Sequence, residues 1–360
     1  MAKKVKDNKE TLNFAAVNAP LVTPSGIGIA TLTDFDVYTS GSKWVKWGFD
    51  NRMPQIYFDN YLKCGLFSSI VNRITDFTFG NGVDLGSDVI FKSDTDDSID
   101  DIVRKCIFDY ILFGGFTLEC IRNNRGSIVR YNYLNVMNVR IDEKLEKAYI
   151  SKKWTNYSSA NIVELPLYNK DEKQPHFVYY YRGNITRGIN PIPSYIASLK
   201  SIEILCNTRN FHLRNLENGF SASVIINLND GNIKTAQLNE IKKKLEEGYT
   251  GSANAGKFLL MNGGDKEHEA TVARIDADNF GDLYKALSES SESDVMTAFG
   301  INEMLLGRNV KTGFSKEEFE NAYALFYETN ILPIQNSVKK EFGKIGVSFE
   351  FKPFEIKWRD

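Results

Sequence analysis

The run from Phe299 to Phe326 constrains the fold of this 360-residue chain more than any other stretch. Phe299-Gly300 predicts the end of one helix. Ser315 predicts the start of another, because Ser315 and Glu318 have the spacing of a capping box. Apolar residues then recur at helical spacing, at Phe319, Ala322, Tyr323 and Phe326. Pro333 should kink this second helix, since proline lacks the backbone N–H and its ring clashes one turn back.

Composition indicates a globular chain with a hydrophobic core, since 42% of the residues are hydrophobic and 25% are charged. The net charge of −2 lacks the basic excess that proteins gripping nucleic-acid phosphates usually show. This balance argues against a sequence-reading DNA-binding protein, but it is compatible with a channel through which DNA slides. No apolar run approaches the roughly eighteen residues of a membrane span, so no membrane contact is expected. The four scattered cysteines predict free, mostly buried thiols.

The pattern of elements predicts an α+β fold. Short β-branched and aromatic segments between Phe116 and Tyr181 predict an antiparallel sheet. A long helix should lead into a small α/β module, and a second helix should lead out of it. The alternating sequence VSFEFKPFEIKW predicts a last strand that joins the sheet of the first domain. Helices are predicted over Pro54–Leu66, Ser68–Phe79, Ser194–Asn218, Lys234–Gly248 and Asp278–Phe299, and from the Asp94–Asp101 run to about Phe113.

One segment resembles a phosphate-binding loop but breaks its rules. Gly251 to Lys257 matches G-x-x-x-x-G-K, yet Phe258 stands where a Ser or Thr must hold Mg²⁺. The predicted order is also helix, loop, strand, the reverse of the order that points a helix N-terminus at phosphates. If this segment did bind phosphate, the chain would be a nucleotide-binding enzyme that uses Lys257. This is the alternative interpretation from a different functional class. The histidines lack partners at ligand spacing, so we expect no catalytic residues, no metal and no cofactor.

Several segments, in order from about residue 44, resemble the portal proteins of tailed bacteriophages, the head–tail connector family. No single segment is diagnostic, and the ordered set carries the resemblance. The segments are WGFDNRMPQIY before a helix and FGNG, FGGFTLECIRNNRGSIVRYNYL, PIPSYIASLKSIEILCNTRNFHLRNLENGFSASVIINL, LNEIKKKLEEGYTGSANAGKFLLMNGG, and FGINEMLLG with the Pro333 helix.

The resemblance implies an α+β, portal-like subunit with an α/β wing, a two-helix stem, a small α/β clip insert and a long kinked helix after a tunnel loop. The implied segments are 1–43 (mobile N-terminal arm), 44–190 (N-terminal part of the wing), 191–218 (stem helix 1), 219–275 (clip), 276–299 (stem helix 2), 300–314 (tunnel loop) and 315–360 (kinked helix and returning wing strand).

The resemblance also implies roles for three groups of residues. The tunnel loop would face DNA with Gly307, Arg308, Asn309, Val310, Lys311 and Thr312. An acidic channel lining on stem helix 2 would repel phosphate and centre the DNA, with Glu289, Glu292 and Asp294 as its residues. A solvated outer helix face is the alternative for these three acids. The clip would dock partners through Lys242, Lys243, Tyr249, Asn254 and Lys257.

The implied function is that of a portal, a non-enzymatic ring, usually of twelve subunits, at one vertex of the phage head. Double-stranded DNA would pass through it, without sequence-specific contacts, during packaging and ejection. The implied partners are further copies of the chain, the large terminase, the head–tail adaptor, and the major capsid and scaffold proteins. The implied locations are the virion and, during assembly, the host cytoplasm. Another virion structural protein, such as a minor head or adaptor protein, is the alternative.

Overall fold

The computed structural model describes the chain over residues 35–39, 41–86, 91–154, 161–183, 188–217, 224–227, 237, 239–240, 243, 258–261, 271–274, 280–308 and 315–355. Most of the expected N-terminal arm, 1–43, lies outside these residues. The described elements combine helices with mostly antiparallel sheets, which confirms the predicted α+β class.

Three helices precede the main sheet, namely α1 (Met53–Lys63), α2 (Gly65–Phe79) and α3 (Ile99–Phe113). Their bounds match the predicted helices within a few residues. The N-cap of α3 is Ser98, whose hydroxyl accepts from the Asp101 N–H at 3.2 Å while the Asp101 carboxylate accepts from the Ser98 N–H at 2.9 Å. Gly114 ends α3 in the left-handed conformation, with a φ of 84°.

The strands of this part of the chain are β1 (Asp36–Val37), β2 (Lys46–Trp47), β3 (Val83–Leu85), β4 (Gly115–Arg122), β5 (Ile128–Leu134), β6 (Val139–Ile141), β7 (Lys147–Ile150), β8 (Val163–Pro166) and β9 (His176–Arg182). β4 lies between β5 and β9 in one antiparallel sheet, and β7 lies between β6 and β8 in another. The antiparallel pairing predicted for this region is confirmed.

Two paired helices flank a small module. α4 (Leu199–Glu217) follows a 3₁₀ turn and packs against α5 (Phe280–Phe299). The strands between them are β10 (Val224–Asn227), β11 (Phe258–Met261) and β12 (Thr271–Arg274). β10 is central, parallel to β11 and antiparallel to β12. Parallel neighbours need a crossover connection, and residues 237, 239–240 and 243 within it are helical.

Ser315 is the N-cap of α6 (Lys316–Phe326), and the predicted capping box with Glu318 is confirmed by hydrogen bonds of 3.1 and 2.9 Å. The helix continues through a π-helical turn (Tyr327–Ile331) into α7 (Leu332–Lys344). Pro333 lies in the first turn of α7. The wider π turn before Pro333 accommodates its missing N–H and its ring, and the kink expected at Pro333 stays a prediction.

The strand predicted near the end is present as β13 (Phe349–Phe351), but its predicted partner is wrong. β13 pairs antiparallel with β3 and, within the described ranges, forms no ladder with the β5-β4-β9 sheet. Gly80 permits this close approach, since its φ is 62° and a Cβ there would lie 2.2 Å from the carbonyl oxygen of Lys352. The Asn81 backbone N–H donates to that same oxygen at 3.1 Å, and the Asn81 side chain donates to the Pro353 carbonyl at 2.7 Å.

The helix predicted over Ser194–Asn218 buries apolar side chains within its own chain along its first half. Leu199, Ile202 and Cys206 are buried in the main core cluster with residues of α1, α2 and α3. Leu213, farther along α4, is 54% exposed. The outer part of α4 therefore keeps an apolar side chain in contact with solvent.

Arg140 is a buried cation that ties β6 to the turn after β2. Its guanidinium donates to the Asn51 side-chain oxygen at 2.5 Å, to the Asn51 carbonyl at 2.9 Å and to two carbonyls of its own segment. The rings of Trp47 and Trp154 lie 5.7 and 4.9 Å from the guanidinium carbon. Desolvation lowers the pKa of Arg140 to about 9, so it stays charged at neutral pH. Asn51, at a φ of 61°, also accepts from the Trp47 N–H.

Asp109 is a buried carboxyl on the inner face of α3. It accepts from the Tyr133 hydroxyl at 2.9 Å and from the Val136 N–H at 3.5 Å. Desolvation raises its pKa from an ordinary 3.8 to about 8, so the folded chain binds a proton here at neutral pH.

Asp109→Asn should therefore flatten the pH dependence of stability. Because the folded pKa lies above the unfolded one, the stability that protonated Asp109 contributes is complete below about pH 4 and lost as the pH rises towards 8. Relative to the variant, the wild type should lose up to about 1.4 kcal/mol of unfolding free energy per pH unit in that window. Urea unfolding from pH 5 to 8 measures this. The exposed Asp59→Asn is the control, and parallel curves for wild type and Asp109→Asn would contradict the assignment.

Candidate functional site

The C-terminal end of α5 starts the site, and the predicted helix end at Phe299-Gly300 is confirmed. Gly300 adopts a φ of 61°. Its N–H donates to the Thr297 carbonyl at 3.0 Å, and the Ile301 N–H donates to the Met296 carbonyl at 3.1 Å. This pair of bonds is a Schellman motif, which turns the chain sharply away from the helix axis.

The segment after this turn is held by short-range hydrogen bonds. The Asn302 side-chain oxygen accepts from the Leu305 N–H at 3.0 Å, and the Leu305 side chain is buried. The Arg308 N–H donates to the Glu303 carbonyl at 2.9 Å. Gly307 has a φ of 71° and open space around it. Residues 301–308 thus form a fixed base that places Arg308 beside α5.

Arg308 pairs with Glu292, since its Nη2 donates to the Glu292 carboxylate oxygen at 2.5 Å. The two side chains are 35% and 25% exposed, so water screens the pair only in part. A groove of about 770 Å³ surrounds it. The groove is lined by Glu289, Glu292, Ser293, Met296, Thr297, Gly300, Ile301, Asn302, Glu303 and Arg308.

The three acidic residues of the predicted channel lining do not share one face of α5. Glu289 and Glu292, one turn apart, both line the groove. Asp294 points elsewhere, because two positions along a helix rotate a side chain by roughly 200°. Its carboxylate accepts from the Ser201 hydroxyl of α4 at 3.1 Å. Glu303 takes the third acidic position in the groove, and the sequence carries no signal for it because it lies beyond the helix.

The other predicted site residues are only partly visible. Asn309, Val310, Lys311 and Thr312 of the loop lie outside the described residues, as do Lys242, Tyr249, Asn254 and Lys257. Lys243 is described as helical and exposed.

The structure weighs against a phosphate-binding loop at Lys257. β11 begins at Phe258, directly after this lysine, where such a loop requires the first turn of a helix. Among the described residues, no three His, Cys, Asp or Glu side chains form a group that could hold a metal ion. Within the same part of the chain, no helix is both long and apolar enough to cross a membrane.

Comparisons with known proteins point to one family. A family model described as "Phage portal protein" matches residues 92–356. A chain of the structure described as "Virion of native gene transfer agent (GTA) particle" aligns with a TM-score of 0.54 at 15% identity, covering 84% of this chain and 83% of that one. A chain of "Neck of native GTA particle computed with C12 symmetry" aligns with a TM-score of 0.50 at 14% identity, covering 78% of each. At these identities the structural likeness shows the fold alone.

A curated relative adds a sequence match without a described role. An "Uncharacterized protein" of Rickettsia bellii (strain RML369-C) is 23% identical over 240 residues, which are 66% of this chain and 59% of that protein. The chain thus spans about three fifths of the length of this relative.

Gly300→Ala should destabilise the protein by roughly 1–2 kcal/mol, because alanine must adopt the left-handed conformation and its methyl would sit 3.3 Å from the Asn330 amide. Gly343→Ala is the matched control inside α7, because a Cβ at this position would have no other atom within 4 Å. This substitution should stabilise the protein by roughly 0.4–1 kcal/mol. Urea unfolding measures both. Shifts of the same sign in the two variants would contradict the role given to the Gly300 turn.

Proposed function

The chain belongs to the phage portal protein family, and we propose that it forms a ring-shaped portal, a conduit for double-stranded DNA at one vertex of a virus head. The family match over residues 92–356 carries this proposal. The order of elements supports it: α4, the β10–β12 module, α5, a loop and the interrupted helix α6–α7 follow one another. This is the order of stem, clip, stem, tunnel loop and kinked helix that the sequence resemblance implies.

The proposed ring contains twelve copies. A chain with a similar fold comes from a particle neck computed with C12 symmetry, which supports this number. A closed ring is built from head-to-tail contacts, so each copy uses two different surfaces. The major capsid and scaffold proteins surround it in the head. The ring is assembled in the host cytoplasm and stays in the virion.

The β10–β12 module serves as the clip in this proposal. The large terminase docks there during packaging and the head–tail adaptor docks there afterwards, on a surface that includes Lys242, Lys243, Tyr249, Asn254 and Lys257. ATP hydrolysis belongs to the terminase motor, and the portal itself catalyses no reaction. β11 directly follows Lys257, where a nucleotide-binding loop would need a helix, and this supports assigning ATP hydrolysis to the terminase.

The Arg308–Glu292 pair sets how strongly the channel holds DNA. An unpaired arginine on every copy would bind phosphate and act as a brake on sliding. Glu292 neutralises Arg308, and Glu289 and Glu303 add negative charge to the same groove. The channel surface around Arg308 therefore carries no net positive charge where it faces DNA. The rest of the loop that faces DNA consists of Gly307, Asn309, Val310, Lys311 and Thr312.

Purified full-length chain should form rings of about twelve copies with a central hole. Negative-stain electron microscopy shows the ring, and native mass spectrometry counts the copies. A stable monomer or dimer at micromolar concentration would contradict the proposed function.

Glu292→Gln should strengthen DNA binding by the ring, because it removes the charge that neutralises Arg308. In Glu292→Gln, the slope of log affinity against log salt should steepen by roughly one unit for each additional phosphate that the ring neutralises. In Arg308→Ala, the slope should become shallower or stay the same. Fluorescence anisotropy with duplex DNA measures these slopes. Asp294→Asn removes one acid from the other side of α5 and is the matched control. An equal change in the Asp294 variant would contradict the role of the pair.

A further inference from the structure

A second groove, of about 600 Å³, opens beside the start of α4 and is separate from the groove around Arg308. We call it the apolar groove. The described side chains that line it carry no charge. Its wall includes four apolar side chains that are only partly buried, namely Ile192, Ile196, Ala298 and Ile334. The chemistry of this lining fits an uncharged, apolar occupant, whose binding would remove these side chains from water.

The wall of the apolar groove is fixed by close backbone contacts. The Gly183 N–H donates to the Gly114 carbonyl at 2.8 Å, and a Cβ on Gly114 would lie 2.5 Å from the carbonyl of Ile192. In the π turn, the Asn330 amide donates to the Thr329 hydroxyl at 2.9 Å. The groove is thus preformed, so an occupant binds without first having to order the wall.

The described part of the chain begins close to this groove. The carbonyl of Phe35, the first described residue, accepts from the Asn190 side chain at 3.0 Å, and the Asp36 carboxylate accepts from the Asn190 N–H at 2.8 Å. Ile192, which lines the apolar groove, is two residues after Asn190, a distance of at most roughly 7 Å along the chain. Leu32, three residues before Phe35, can reach roughly 10 Å from it. The chain that precedes Phe35 is therefore long enough to enter the groove directly.

The sequence that precedes Phe35 has the chemistry of such an occupant. Residues 11–33 contain no Asp, Glu, Lys or Arg. Within them, the run GIGIATLT at positions 26–33 places Ile27, Ile29 and Leu32 among glycine, alanine and threonine. Small neighbours allow a backbone to approach a wall closely, and the three larger side chains match the apolar lining.

We propose that residues 26–33 bind in the apolar groove of their own chain, with Ile27, Ile29 and Leu32 as the apolar anchors. The Asn330 amide at the groove offers hydrogen bonds to the backbone of an extended segment. The bound segment contacts both the start of α4 and Phe299, and it thereby supports the helix end from which the Gly300 turn begins. These contacts lie within one chain, so they do not depend on ring formation.

Photocrosslinking of the full-length chain tests where the segment binds. Substitution of Ile29 by p-benzoylphenylalanine places a photoreactive ring in the segment, and mass spectrometry maps the peptides that are joined after irradiation. The joined peptides should contain Ile192, Ala298 or Ile334. Substitution of Val17 by the same residue, in the same uncharged run but outside the segment, is the control and should not give these products.

Isotope labelling identifies the copy that supplies the segment. Labelled and unlabelled chains are mixed in urea and refolded together, and crosslinked peptides should carry matching labels because segment and groove belong to one chain. Mixed labels would mean that the segment enters a neighbouring copy, and crosslinks elsewhere or none at all would mean that it does not bind in the groove. Each of these outcomes overturns the proposal. Crosslinks without rings overturn only the portal function, and rings without crosslinks overturn only the binding of the segment.

Limited proteolysis with thermolysin adds a measurement that needs no photoreactive residue. Ile29→Asp puts a charge into an uncharged groove, so it should release the segment. Cleavage beside Ile27 and Leu32 should then be at least roughly tenfold faster than in the wild type, because cleavage follows the population of the open form. Val17→Asp adds the same charge to the same run and should leave this rate unchanged. Equal rates in the two variants would overturn the proposal.

Discussion

Tyr195 joins parts of the molecule that are far apart in the sequence. Its ring lies 4.8 Å from that of Phe67 on α2 and 5.1 Å from that of Phe299 at the end of α5. Its hydroxyl donates to the Leu112 carbonyl of α3 at 2.6 Å. A buried hydroxyl without a partner would cost about 1–3 kcal/mol, so the ring contacts and the hydrogen bond must form together. One side chain thereby fixes three helices relative to the start of α4.

The candidate site follows from this arrangement. Phe299 is the last residue of α5, so its contact with Tyr195 sets where the Gly300 turn begins. Glu292, two turns earlier on α5, and Arg308, after the turn, then lie on one side of the helix and can pair. The same packing places α4 against α1. The Arg308–Glu292 contact is not local in the sequence, but the ends of the helix that determine it are.

Local signals predict the elements of this fold well. The capping box at Ser315 and the helix end at Gly300 depend on residues within one or two helical turns, which a sequence displays directly. Three-residue strands such as β3 and β6 escape prediction, because they are too short to alternate and owe their pairing to a distant partner. The separation of Asp294 from Glu292 follows from helical spacing, so the sequence could have predicted it. The pairing of Arg308 with Glu292 escapes prediction, because it depends on which way the helix is rotated in its tertiary setting and on where the chain turns after it, and a charge pattern alone does not reveal this.

The pairing of β3 with β13 has a consequence for how the chain is made. Asn81 and Pro353, joined by a side-chain hydrogen bond, are 272 positions apart. At ribosomal speeds of about 5–20 residues per second, the segment after α2 waits roughly 15–55 seconds for its partner to be synthesised. During that interval β3 is an unpaired strand edge on a nascent chain, open to pairing with a neighbouring nascent copy. The pairing of β3 with β13 therefore delays completion of this part of the fold until residue 353 has been synthesised, and the β3 edge needs protection from other strands until then.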